Sequence, residues 1–288
     1  MTSFRKQLLI TLGMLLLSTS LLSQSGAERS GAFRCSERKS SWTNVPDLPG
    51  KPESVPGHTF DVQKYWIELD LYANHIAPYP KSFSASVNVF FRADSTINSI
   101  TLNADNNSMI IDSVGLSGSS FSHAGNLLTI QLNTTLLPGM MASVMIYYRH
   151  KNVNDNAFYC SNGFVFTDCE PEGARKWFPC WDKPSDKAWL DLKAKVKSNV
   201  KLGSNGHLAD STLSGDTLTY HWVSNQPVAT YLIVISSRVD YNLNIVYRKN
   251  PANPSDSLPI RFYFNPGENP EPIMAIMPEM TDWFSENF

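Results

Sequence analysis

Paired histidines are missing from this 288-residue chain. Its six, His58, His75, His123, His150, His207 and His221, are never four residues apart, and none precedes a glutamate. An H-E-x-x-H metal-binding helix is therefore absent from the sequence, and each lone imidazole reads as a surface or satisfied polar group. Cysteine is scarce as well. Cys35, Cys160, Cys169 and Cys180 stand 125, 9 and 11 residues apart, with no C-x-x-C pair of the kind that holds structural zinc. No phosphate-binding Walker loop or dinucleotide fingerprint occurs. G-L-S-G-S at Gly115–Ser119 misses a nucleophile elbow by one place and reads as a turn. Charge of one sign is not in excess either. Lys+Arg 24 against Asp+Glu 26 gives a net charge of −2 with no basic stripe, which argues against nucleic acid as a partner.

Long apolar runs are also lacking. The longest, Leu8–Leu17, follows Arg5 and Lys6 and is shorter than the roughly 20 residues a membrane span needs. With small and polar residues from Ser18 to Ala27, residues 1–24 read as an export signal. The mature chain is then expected in the periplasm, outside the cell or at its surface, with no membrane association after cleavage. An oxidising compartment permits disulfides. The four cysteines allow three pairings, and the sequence leaves the choice open. Asn106-Asn107-Ser108 and Asn133-Thr134-Thr135 match glycosylation sequons, a short pattern that also arises by chance.

What is present is a packed globular composition, 42% hydrophobic and 11% aromatic, arranged with a period of two. Residues 25–56, rich in Ser, Arg, Lys and Pro, read as a linker or extended arm. From Phe60 the pattern turns to strands. Tyr65, Ile67, Leu69 and Leu71 alternate with polar neighbours, and Phe83, Ala85, Val87, Val89 and Phe91 repeat the alternation. Further strands are expected at 97–102, 109–116, 127–132, 144–148, 200–202, 217–223, 229–236, 243–247 and 260–264. About a dozen short strands without helices between them predict an all-β domain over 57–265, an antiparallel sandwich or saddle of two sheets.

The period changes near Pro266. Asn269, Pro270 and Glu271 have the form of a helix start, and Ile273, Ile276, Met277, Met280, Trp283, Phe284 and Phe288 fall on one helical face. Such a stripe expects a covering partner, so residues 266–288 read as a helix cut off from the rest of its domain.

The densest chemistry lies between Ser161 and Leu192. A strand at Phe164–Thr167 runs into Cys169 and Glu170. Pro171 and Gly173 break it, Trp177 and Phe178 supply large anchors, and the strand pattern resumes at Ala188. Glu170 is thus presented at a strand end, on a loop restrained by prolines and aromatics, where site residues are commonly held. The plain alternative is a solvated carboxylate near Arg175.

C-E-P-E-G-A-R-K-W-F-P-C-W-D-K-P-S-D-K-A, through Glu170, Pro171, Ala174, Arg175, Phe178, Pro179, Cys180, Asp182, Pro184, Lys187 and Ala188, resembles a segment of the zinc aminopeptidases of the aminopeptidase N family. So do the run from Phe60, S-N-G at Ser204–Gly206 and Q-P-V-A-T-Y-L at Gln226–Leu232. The terminal T-D-W-F-S-E-N-F resembles the helix that opens the family's thermolysin-like catalytic domain. Asp168, where glutamine is usual, and Lys183, where an acid is usual, depart from the pattern, and Glu172 sits where the pattern is variable.

The resemblance implies that Glu170 binds the free α-amino group of a peptide substrate, as a charge-assisted contact to an ammonium. It also implies that zinc and the catalytic residues lie beyond Phe288, on a domain that partners this one. By itself the chain is expected to be inactive and to bind no zinc. The competing function is a non-catalytic secreted β-sandwich module that binds a peptide or protein surface. A cell-surface adhesion domain rests only on export and β content.

Overall fold

The structure, a computed structural model, describes residues 59–115, 120–250 and 253–287. The expected signal, the linker arm, Cys35, His58, Leu116–Ser119 of the G-L-S-G-S turn and Phe288 lie outside the described residues.

The chain runs through β1 (Phe60–Asp70), β2 (Phe83–Ala93), β3 (Ile97–Asn103), β4 (Met109–Val114), β5 (Phe121–Ala124), β6 (Leu127–Leu136), β7 (Met141–His150) and β8 (Phe158–Ser161). It continues through β9 (Phe164–Thr167), β10 (Lys187–Lys197), β11 (Lys201–Ser204), β12 (His207–Ser214), β13 (Thr217–Ala229), β14 (Ile235–Arg238), β15 (Asn242–Asn250) and β16 (Asn253–Phe264). One helix, Glu271–Asn287, follows. The all-β expectation holds, with more sheets than the alternation alone suggests. Seven strands form the main sheet in the order β12-β13-β10-β1-β2-β7-β4. Beside it are a four-stranded sheet, β11-β14-β9-β8, a three-stranded sheet, β3-β6-β5, and the hairpin β15-β16.

Alternation fixes register because one face of the main sheet is buried. Tyr65, Ile67 and Leu69 of β1 and Leu190, Leu192 and Ala194 of β10 are all 2% exposed or less. They join one hydrophobic cluster with Ile100, Leu102, Leu128 and Ile130 of the three-stranded sheet and with Val165, Leu202 and Ile235 of the four-stranded one. The pairing of β1 with β10 is parallel, setting Tyr65 beside Leu190 and Ile67 beside Leu192. Parallel neighbours need a long crossover, and everything from β2 to β9 supplies it.

The stretch 229–236, expected as one strand, is divided. β13 ends at Ala229, a 3-10 turn occupies Thr230–Leu232, and β14 begins at Ile235. The terminal helix forms as expected, but its apolar stripe faces away from the hairpin. Ile273, Ile276, Met280, Trp283 and Phe284 are each 42% exposed or more. The hairpin is met instead at Met274, whose sulfur accepts from Asn244 Nδ2 at 3.7 Å, and at Asp282, which pairs with Arg248.

The buried His150 ring is paired at both nitrogens. His150 Nε2 faces Asp155 Oδ2 at 2.8 Å, Nδ1 faces the Lys81 carbonyl at 2.9 Å, and the ring stacks on Phe83. Burial pushes the Asp155 carboxyl up, but the His150 ring and the amides of Phe158 and Ala157 outweigh it and hold the group below the usual range. A depressed carboxyl stabilises the fold above its unfolded value, about 3.9. That stability is lost as pH falls through the folded value.

Two predictions follow from these contacts. Denaturant unfolding between pH 5 and pH 2 should show a fall in stability that is reduced in Asp155→Asn, and an unchanged slope would contradict the pairing. Gly206 has φ +80°, and a Cβ there would stand 2.0 Å from the Val223 carbonyl oxygen. Gly206→Ala should cost about 2–4 kcal/mol, a left-handed penalty plus forced movement. Gly125→Ala, at φ +60° in open space, should cost only about 1 kcal/mol. Equal losses in urea unfolding would refute the close approach.

Candidate functional site: the loop between β9 and β10

Residues 168–186 connect the end of β9 to the start of β10, and the core holds them at several points. Asp168 donates its amide to the Ala157 carbonyl at 2.9 Å, and the Glu170–Pro171 bond is cis. Gly173 N–H closes a tight turn on the Cys169 carbonyl at 2.7 Å, where an added Cβ would lie 2.9 Å from Cys169 Cα. A 3-10 turn at Ala174–Lys176 then delivers Trp177 and Phe178 into full burial. Trp177 Nε1 donates to Cys169 Sγ at 3.2 Å, and Phe178 meets Tyr65 edge to face at 5.5 Å. Trp181 lies against Phe60, and its amide donates to the Tyr65 hydroxyl at 3.0 Å. Cys180 and Asn103 exchange backbone bonds of 2.7 and 3.0 Å, which stitch the loop to the end of β3. The expected aromatic anchoring is therefore what the structure shows.

Sequence reasoning did not single out Asp182. Its side chain is 1% exposed and accepts from Arg175 Nε at 2.8 Å, from the Arg175 amide at 3.2 Å and from Thr230 Oγ1 at 2.9 Å. Its own amide donates to Asn103 Oδ1 at 3.0 Å. A buried charge survives only when paired and hydrogen-bonded, and here the contacts reach Arg175 in the same loop, Thr230 after β13 and Asn103 at the end of β3. Burial pulls the Arg175 guanidinium down, but the bond to Asp182 and its charge more than offset that and raise it above its ordinary value. Arg175 also reaches Glu172 at 2.5 Å, and Lys183 Nζ reaches the other Glu172 oxygen at 3.0 Å.

Three stretches far apart in sequence meet here. Thr230 belongs to Gln226–Leu232. Asn205, in the S-N-G stretch, grips the chain just beyond with Nδ2 to the Leu232 carbonyl at 2.8 Å and Oδ1 from the Val234 amide at 2.8 Å. Ser204 Oγ adds a bond of 2.7 Å to the Val234 carbonyl. The signal that could have identified Asp182 and Thr230 was their setting, since a short polar residue among aromatics and aliphatics has to be paired inside.

Glu170 is half-buried on this loop, between the Asp168 and Gly173 backbone ties. Cys160, Cys169 and Cys180 are buried free thiols, and burial pushes all three up. Raised thiols are poor nucleophiles and metal ligands. Among the described residues, no three His, Cys, Asp or Glu side chains come together as metal donors, so these residues do not fit a zinc centre. A cleft of about 1040 Å³ is lined by Asp70, Tyr72, Arg149, Lys195 and Thr217 on the main sheet and does not include Glu170. Its lining mixes both charge signs with hydroxyls in an open trough and presents no converging reactive groups. The chemistry points to the loop instead.

Asp182→Asn should cost about 3 kcal/mol, because it leaves a largely buried guanidinium without its main counter-charge. Thr230→Val should cost about 1 kcal/mol by removing one hydrogen bond. Urea denaturation measures both, and a neutral Asp182→Asn would contradict the role given to this carboxylate.

The comparisons with known proteins agree with the fold. Residues 63–232 match the family described as the peptidase M1 N-terminal domain. Aminopeptidase M1-C of Oryza sativa subsp. japonica is 31% identical over 109 residues, which cover 38% of this chain and 12% of that protein. Probable aminopeptidase 1 of Sulfurisphaera tokodaii is 26% identical over 145 residues, 47% of this chain and 18% of that one. The M1 zinc metallopeptidase from Deinococcus radiodurans superposes with a TM-score of 0.66 at 17% identity, over 78% of this chain and 53% of that chain. The matched part thus spans under a fifth of each of these curated relatives and about half of that solved structure. With the fold and the match over 63–232 in agreement, this chain belongs to the peptidase M1 N-terminal domain family.

Proposed function

We propose that this chain is the substrate-anchoring portion of an exported zinc aminopeptidase, which removes N-terminal residues from peptides. One observation carries the reading. The loop that bears Glu170 is tied down by buried aromatics and by the Asp182 network, so the backbone from which its carboxylate extends is set before a ligand arrives. A preorganised anion meets an ammonium without an ordering cost, which is where selectivity for an unblocked N-terminus originates. In the bound complex the α-ammonium keeps its protons and donates N–H to a Glu170 carboxylate oxygen.

The residues that hold zinc belong, in this reading, to a catalytic domain outside this chain. That domain is also the proposed cover for the exposed stripe of Ile273, Ile276, Met280, Trp283 and Phe284. Export, inferred from Arg5, Lys6 and Leu8–Leu17, places the activity in the periplasm, outside the cell or at its surface.

In the whole enzyme, Glu170→Gln should lower kcat/KM for peptides with a free N-terminus. The lost contact amounts to about 2–4 kcal/mol, or roughly 30- to 1000-fold at about 1.4 kcal/mol per decade. The melting temperature should change little. Steady-state kinetics on an aminoacyl anilide test this, and an unchanged kcat/KM would overturn the assignment.

A further inference from the structure

The loop carries two glutamates two residues apart, and the structure separates their roles. Glu172 is bound at both oxygens by cations that enter from opposite limbs of the loop. Arg175 Nη2 lies 2.5 Å from Oε2 on the descending limb, and Lys183 Nζ lies 3.0 Å from Oε1 on the returning limb. Arg175 is in turn fixed by Asp182, one residue before Lys183. The four side chains thus form a chain of alternating charge, Asp182 to Arg175 to Glu172 to Lys183, between the two limbs of the loop. Glu172 and its two cations are 15–29% exposed, and Asp182 is 1% exposed. Such a networked arrangement is one in which ion pairs contribute more than isolated surface pairs do.

Lys183 occupies the position at which the resemblance leads one to expect an acid. An acid there would put a second carboxylate beside Glu172, so the lysine and Glu172 are matched to one another. With both oxygens of Glu172 engaged by cations, Glu172 is not the carboxylate that receives a substrate amine.

We propose that Glu172 and Lys183 are a coupled pair of positioning residues that clamp the two limbs of the loop and so hold Glu170 in place. The proposal rests on the reading of Glu170 as the amine anchor, but the clamp can be tested without it. The direct observable is amide hydrogen exchange over residues 169–176 in this chain, followed by mass spectrometry. Glu172→Gln and Lys183→Gln should each speed exchange there by about tenfold. The double variant should exchange no faster than the faster single, because one interaction is lost in all three. Unchanged exchange in the singles, or multiplicative effects in the double, would overturn the clamp.

The second observable is the whole enzyme's kinetics. Glu172→Gln should raise KM several-fold with a smaller change in kcat, and Glu172→Asp should restore part of the loss. Suppose Glu170→Gln cripples the enzyme while Glu172→Gln speeds exchange but leaves KM unchanged. Positioning by the clamp would then be overturned, and the amine anchor would stand. If Glu170→Gln is itself without effect, the amine anchor fails, and exchange alone decides whether the clamp exists.

Discussion

The buried carboxylate of Asp182 is the contact on which the arrangement around Glu170 depends. A loop of nineteen residues between two strands would ordinarily be a source of motion and entropy. Here it is a structural element, because a desolvated charge cannot tolerate an unpaired state. Asp182 demands Arg175 and Thr230, and each of those ties a separate part of the chain to the same point. The aromatics Trp177, Phe178 and Trp181 supply the apolar area, and the carboxylate supplies the direction. Breaking either half would leave the other without its partner surface, so packing and electrostatics are not separable in this region.

The same loop lies beside a parallel strand pair. β1 and β10 run side by side in the middle of the main sheet, and the loop enters the core immediately before β10. Tyr65 on β1 receives the Trp181 amide and packs on Phe178, so the strand that begins the domain and the strand that leaves the loop share one anchor. Rigidity at Glu170 is inherited from the most buried part of the sheet. The role proposed for Glu170 requires well-placed surroundings more than a deep pocket, and a half-buried position on a fixed loop meets that requirement.

Much of the architecture was legible in the sequence where one face of a strand meets the core. Tyr65, Ile67 and Leu69 in β1, and Leu190, Leu192 and Ala194 in β10, declare themselves by period two. β12 did not, because it lies at a sheet edge with almost every side chain exposed and no alternation to read. The parallel pairing of β1 and β10 was hidden because nothing local encodes a partner more than a hundred residues away. The Thr230–Leu232 turn was hidden by β-forming residues, whose local preference yields to the tertiary bonds that Asp182 and Asn205 make there.

At the loop, the aromatic anchors were legible, whereas Asp182 stood only as one residue of the family resemblance, with no role of its own, because acids are usually exposed. Lys183 departs from the family pattern, and its position opposite Glu172 shows how the exchange is balanced. The central claim is that Glu170 is the carboxylate presented to a substrate amine. A crystal structure of the whole enzyme with a non-hydrolysable peptide analogue tests it most directly. The account predicts a Glu170 carboxylate oxygen about 2.7–2.9 Å from the ligand's α-nitrogen, with Glu172 still bridging Arg175 and Lys183. An α-amine held by Glu172, or by no residue of this chain, would contradict it.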